Sequence, residues 1–113
     1  MLQTKVSFEA KNKINAFLGE KGINLLQREI DLTQDVALKN GLPLEKIIVR
    51  FERDYEIRSW KYVLARLFFN STFEEADEFY KIICSQIDVF ESALDSESRE
   101  TLLDKIYYVF ETV

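Results

Sequence analysis

The 113-residue chain reads as an α+β fold, and three observations carry that reading. Residues 46–69 contain two runs in which apolar side chains recur at every second position, the period of a β-strand. Residues 72–94 repeat apolar side chains at intervals of four and three, the period of an amphipathic helix. Glycine and proline are scarce, at 3 and 1, so long regular elements are expected over tight turns. The predicted layout is N-terminal helices within 7–40, a central antiparallel β-hairpin at 46–69, and two C-terminal amphipathic helices at 72–94 and 97–112. The last two are joined by a short link and pack as an antiparallel pair. Residues 1–113 form a single domain, long enough to bury a core without metal or disulfide.

In the first third, Ser7 is placed to cap a helix that starts near Phe8. Ala10, Ile14, Phe17 and Leu18 then share one side at helical spacing. Gly19 and Gly22 flank Glu20-Lys21 and are expected to end that helix. A second amphipathic run aligns Ile23, Leu26 and Ile30. Asn40-Gly41 is a helix-ending pair, and Pro43 can open the next element.

Residues 34–53 also resemble a helix-turn-helix core. Ala37 would sit at the tight crossing, Gly41 would make the turn, Leu42 would fill the core, and Ile47 would face inward. The recognition helix would be Leu44–Arg53, with Lys46, Arg50 and Arg53 pointing outward to DNA. The competing reading is helix, glycine turn and strand. It is favoured, because Ile47-Ile48-Val49 is β-branched throughout.

In the hairpin, Ile47, Val49 and Phe51 alternate with Ile48, Arg50 and Glu52. Val63, Ala65, Leu67 and Phe69 share one face of the second strand. Trp60, Tyr62, Leu64, Arg66 and Phe68 share the other. The charged link Arg53–Ser59 has no glycine, so a loop longer than two residues is expected. The second strand is apolar on both faces. Both must therefore be covered, by helices or by a partner chain.

After the hairpin, Thr72 and Glu75 form a capping box, with Ser71 and Glu74 as the alternative frame. Glu74, Glu75, Asp77 and Glu78 crowd the first turns, where the helix dipole favours negative charge. Ala76, Tyr80, Ile83, Ile87, Phe90 and Leu94 form the apolar line, widened by Phe73, Phe79, Ile82 and Val89. Residues 95–98 break the pattern and offer caps. Leu103, Ile106, Phe110 and Val113 then mark the buried side of a last helix. The apolar line is still running at Val113, which fits an end packed on a partner or a chain that continues.

Little in the composition supports catalysis. There is no histidine, which removes Ser-His and Cys-His pairs and most zinc sites. The single cysteine, Cys84, lies among apolar helix positions and reads as a core filler. Glycines 19, 22 and 41 match no phosphate-binding loop. Glu74 and Glu78 could share a cation, but Lys81 nearby reads as solvent-side ion pairing. No catalytic residue, metal ligand or cofactor is therefore expected.

Charge argues against a polyanionic partner. Residues 1–69 carry 12 Lys and Arg against 9 Asp and Glu, whereas residues 70–113 carry 3 against 11. Trp60, Tyr62 and Phe68 beside Arg66 resemble a base-stacking platform, but aromatics with arginine are also what protein interfaces favour. The N-terminal residues lack a signal-peptide core, and no apolar run approaches the roughly 18 residues of a membrane helix. The expected protein is cytoplasmic and non-enzymatic. Its partner is a protein, first of all a second copy of itself, met through Trp60, Tyr62, Leu64, Arg66 and Phe68 and the apolar helix stripe. DNA binding through 34–53 is the alternative.

Overall fold

The computed structural model describes residues 4–54, 56 and 60–113. Along them run β1 (Lys5–Phe8), α1 (Lys11–Lys39), β2 (Leu44–Arg53), β3 (Lys61–Phe69), α2 (Phe73–Ser92), α3 (Ser96–Lys105) and β4 (Ile106–Thr112). The class is mixed α and β, with the hairpin at its centre, as the periodicities predict. The order of elements differs from expectation at both ends of the chain.

At the N-terminus, Ser7 does not cap a helix; it lies in β1, beside β2. Val6 and Phe8 turn towards the core, while Lys5 and Ser7 are exposed. The helix starts three residues later, at Lys11, after Ala10 in the left-handed conformation with φ 55°, and no side chain caps it. Gly19 interrupts it with φ 72° and ψ 175°, but the chain resumes helix at once and continues to Lys39. Gly19 therefore ends the first helical limb, as expected, and the second limb follows it without a loop, so that Gly22 ends nothing. Gly22 sits inside the second limb, where a Cβ would come within 2.9 Å of Leu18 Cβ.

The helix-turn-helix held as the alternative at 34–53 is not formed, and the favoured helix, glycine turn and strand is. Its first half holds: Ala37 is buried, Gly41 takes φ 63°, and the Leu42 N–H donates to the Ala37 carbonyl at 2.8 Å. Its second half is β2, paired with β1 on one side and β3 on the other. Three consecutive β-branched residues restrict χ1 in a helix and pack well on a pleated surface, so the strand wins. Lys46, Arg50 and Arg53 thus stand on a strand, not on a recognition helix.

The hairpin pairs Ile47 with Leu67, Val49 with Ala65 and Phe51 with Val63. The Asp54 N–H donates to the Trp60 carbonyl at 3.0 Å and closes the loop at its base. Tyr55, Ile57, Arg58 and Ser59 of the expected loop lie outside the described residues.

Helix α2 starts where the capping box places it. Thr72 Oγ1 accepts from the Glu75 N–H, and Glu75 accepts from the Thr72 N–H. Ala76, Ile83 and Ile87 are buried, whereas Phe73, Ile82 and Val89 are exposed and do not widen the stripe. Asp95 caps α3 by accepting from the Ser98 N–H at 3.0 Å.

The last predicted helix is only half a helix. It stops at Lys105, and Ile106–Thr112 is β4. The run Ile106-Tyr107-Tyr108-Val109-Phe110 is wholly β-branched or aromatic, and an open strand edge lies beside it. Leu103 and Val113, expected inside, are 55% and 65% exposed. The antiparallel helix pair is corrected with it: α2 and α3 each pack chiefly on α1, not on one another.

The four strands form one sheet in the order β1-β2-β3-β4, parallel, antiparallel and parallel across the three joins. One face is dry. Ile47, Val49, Val63, Ala65, Leu67 and Phe69 are at most 1% exposed there, beneath Ile14, Leu26 and Ile30 of α1, Ile83 of α2 and Leu102 of α3. Burying a Leu, Ile or Phe side chain of this kind is worth about 1.5–3 kcal/mol. All three helices lie on that face. Phe17 of α1 meets Phe51 edge-on and Phe79 of α2 meets Phe69, both across the same side of the hairpin. The two parallel crossovers therefore step the same way across the sheet, on the same side, from strands of opposite direction. That combination requires them to be of opposite hand, so one departs from the usual right-handed rule.

Candidate functional site

Among the described residues, no helix lies on the second sheet face. The alternation that sends Val49 and Leu67 inward sends Lys46, Ile48, Arg50 and Glu52 of β2 outward, beside Tyr62, Leu64, Arg66 and Phe68 of β3. Parallel register adds Tyr107, Val109 and Glu111 of β4 and Lys5 and Ser7 of β1. The five residues singled out as a binding surface, Trp60, Tyr62, Leu64, Arg66 and Phe68, thus lie on this face or at its end. Two of the three alternative residues, Lys46 and Arg50, share it, while Arg53 is exposed at the end of β2.

The open face has two regions. At the loop end, three aromatic rings pack on one another: Trp60 on Tyr62 at 5.0 Å, Tyr62 on Tyr107 at 5.5 Å and Trp60 on Tyr107 at 5.8 Å between centroids. The last two are edge-to-face, the arrangement ring quadrupoles favour. At the other end, Phe68 lies between two cations, Lys46 at 4.6 Å and Arg66 at 5.1 Å from its centroid.

Both arginines on this face are already paired within it. Arg50 meets Glu9 at 2.9 Å and Glu52 at 3.4 Å, and Arg66 binds Glu111 on the neighbouring strand. The Arg66 hydrogen bond holds the Glu111 carboxyl below the usual carboxylate range, and Glu111 raises the Arg66 guanidinium in turn. Four strands meet one requirement of a base-stacking sheet, yet these ion pairs occupy the arginines a phosphate backbone would need.

The sequence missed the contributions of β1 and β4. Tyr107, Val109 and Glu111 disappeared into a helix, although their alternation with Ile106, Tyr108 and Phe110 is a strand signal. Lys5 and Glu9 were lost with β1, which is only four residues long.

Other candidate chemistry disperses. Lys81 pairs with Asp77 at 3.0 Å and Glu78 at 3.6 Å on the solvent side of α2. Among the described residues, no three His, Cys, Asp or Glu side chains gather as a metal site needs. Burial pushes the half-buried Cys84 thiol up, away from reactivity. No helix among the described residues is long and apolar enough to cross a membrane. Compared with protein-family models, curated proteins and solved structures, the chain matches none.

Proposed function

We propose that the protein is a small non-enzymatic interaction module that self-associates through the open face of its sheet. The carrying observation is that this face combines apolar and aromatic side chains with arginines already neutralised by carboxylates on the same face. Covering it strands neither arginine without a counter-charge, which is the usual obstacle to burying charged surface. A second copy is the favoured occupant, because the face carries both signs and apolar ground and so complements itself. Strands spaced about 4.8 Å apart and rising about 3.3 Å per residue give a face of roughly 20 by 30 Å. That approaches the roughly 800 Å² per partner of a standard interface.

The test is molar mass by light scattering and sedimentation over a range of concentrations. The wild-type chain is expected to be a dimer. Leu64→Glu, at the middle of the face, is expected to give a monomer with unchanged far-UV circular dichroism. A wild-type monomer at all concentrations, or a Leu64→Glu dimer of equal affinity, refutes self-association through this face. Weak dependence on salt is also expected, since the apolar ground and internally paired charges dominate.

A further inference from the structure

Glu29 on α1 is a carboxyl with 0% exposure in the middle of the helical layer. Its Oε1 accepts a 2.6 Å hydrogen bond from the Tyr108 hydroxyl on the inner side of β4. Its Oε2 is buried and meets no donor. The other ionisable side chains acting on it are Glu91 and Asp88 of α2, carboxyls like itself. The cations nearby are engaged elsewhere. Arg28 lies over the Phe90 ring at 4.9 Å, and Arg99 of α3 donates to the carbonyls of Glu91, Ser92 and Leu94. An ionised Glu29 would therefore be a buried charge with one hydroxyl for company. Protonated, Glu29 carries no charge and gains a donor, and Glu91 is a carboxyl within its reach to accept it.

We propose that Glu29 is a proton-dependent latch: protonated, it joins α1 to the end of α2 through Glu91, and on losing its proton it lets the end of α2 part from α1. The Tyr108 hydroxyl bond survives that loss, since a carboxylate accepts it more strongly than the acid does. The Tyr80 hydroxyl of α2 donates to the Tyr108 carbonyl at 2.9 Å, so Tyr108 is held from α1 through its hydroxyl and from α2 through its backbone. Burial first, and then the hydrogen bond with Glu91, push the Glu29 carboxyl up to about 8; the Tyr108 hydroxyl bond opposes them. The group thus changes state close to neutrality. This inference goes beyond the self-association reading and does not depend on it.

The sign follows from linkage. Between the ordinary carboxylate value of 4.5 and about 8, the folded chain holds a proton that the unfolded chain has lost. Stability is greatest below that window, falls as pH rises through it, and levels off above it; one proton makes the unfolding constant rise about tenfold per pH unit. Urea unfolding of the wild-type chain and Glu29→Gln, from pH 5.5 to 9, reads this directly. The wild type is expected to show the rise and Glu29→Gln to lack it; parallel profiles overturn the latch. Carboxyl-carbon NMR of the wild type covers the case in which the variant does not fold. A Glu29 midpoint near 8 supports the proposal, and one near 4.5 overturns it. Amide exchange, corrected for intrinsic rate, locates the effect. Between pH 6 and 9 the amides in the last turns of α2, next to Glu91, are expected to lose protection before those of β2, and simultaneous loss overturns the release step.

Discussion

Single residues set several local conformations that no neighbour could impose. Gly19 holds φ 72° and ψ 175° with open space around it, so its conformation alone selects glycine. Gly19→Ala is expected to lower unfolding stability by about 1–3 kcal/mol, measured by urea titration, although a Cβ there meets nothing. Glu29 is the opposite case, because its neighbours determine everything. In sequence it sits between Arg28 and Ile30 and looks like a solvent charge. Yet Leu25, Glu29, Thr33 and Val36 follow at spacings of four, four and three on the buried stripe of α1. That position was visible; the carboxyl's partners, Tyr108 and Glu91, stand 79 and 62 residues away and were not. The open face was readable along β3, where alternation alone put Tyr62, Leu64, Arg66 and Phe68 on one side.

Among the elements, β4 teaches most. As an edge strand of seven residues, Ile106–Thr112 is short of Lys, Pro and bulges, the usual guards of a strand edge. The Val113 N–H donates to the Phe69 carbonyl on β3, so the alternate residues Tyr108, Phe110 and Thr112 present their backbone groups to the outer edge. Helix α2 protects that edge. Its Tyr80 hydroxyl satisfies the Tyr108 carbonyl, and Tyr80 and Phe73 stack on Phe110 at 4.9 and 5.3 Å. Tyr80→Phe keeps the ring and removes the bond. Its expected cost is about 1 kcal/mol in urea unfolding, with faster concentration-dependent aggregation followed by light scattering. Unchanged aggregation would mean that the stacked rings suffice. Helix α2 itself was legible because capping box, dipole charges and apolar line agree locally. The end of α3 was not, because Leu102, Leu103, Ile106 and Phe110 fit a helical line and a strand equally well.

Across the chain as a unit, pH and charge set how it can be handled. Glu29 makes stability fall as pH rises from 4.5 towards 8. Asp95, held low by its hydrogen bonds with Ser98, and Glu111, held low by Arg66, act in the other direction. Their stabilisation is lost as pH falls through the depressed carboxylate range. A stability maximum on the acid side of neutrality is therefore expected from thermal unfolding across pH; a plateau extending from 6 to 9 would contradict it. Solubility runs against stability there, since the isoelectric point is about 4.8 and association rises as net charge vanishes.

Local chemistry was enough for the hairpin, the Gly41 turn, the start of α2 and the outward face of β3. Each rests on contacts within a few residues or on a two-residue period. Strand identity at the two ends, the partners of Glu29 and the assembly of the open face depend on contacts far along the chain. The five-residue run from Ile106 to Phe110 becomes a strand beside the unpaired edge of β3, and β1 acquires its hydrogen bonds only from β2. The opposite hands of the two crossovers belong to this second group. Handedness is a property of where helices lie relative to strands, and no spacing along a sequence records it.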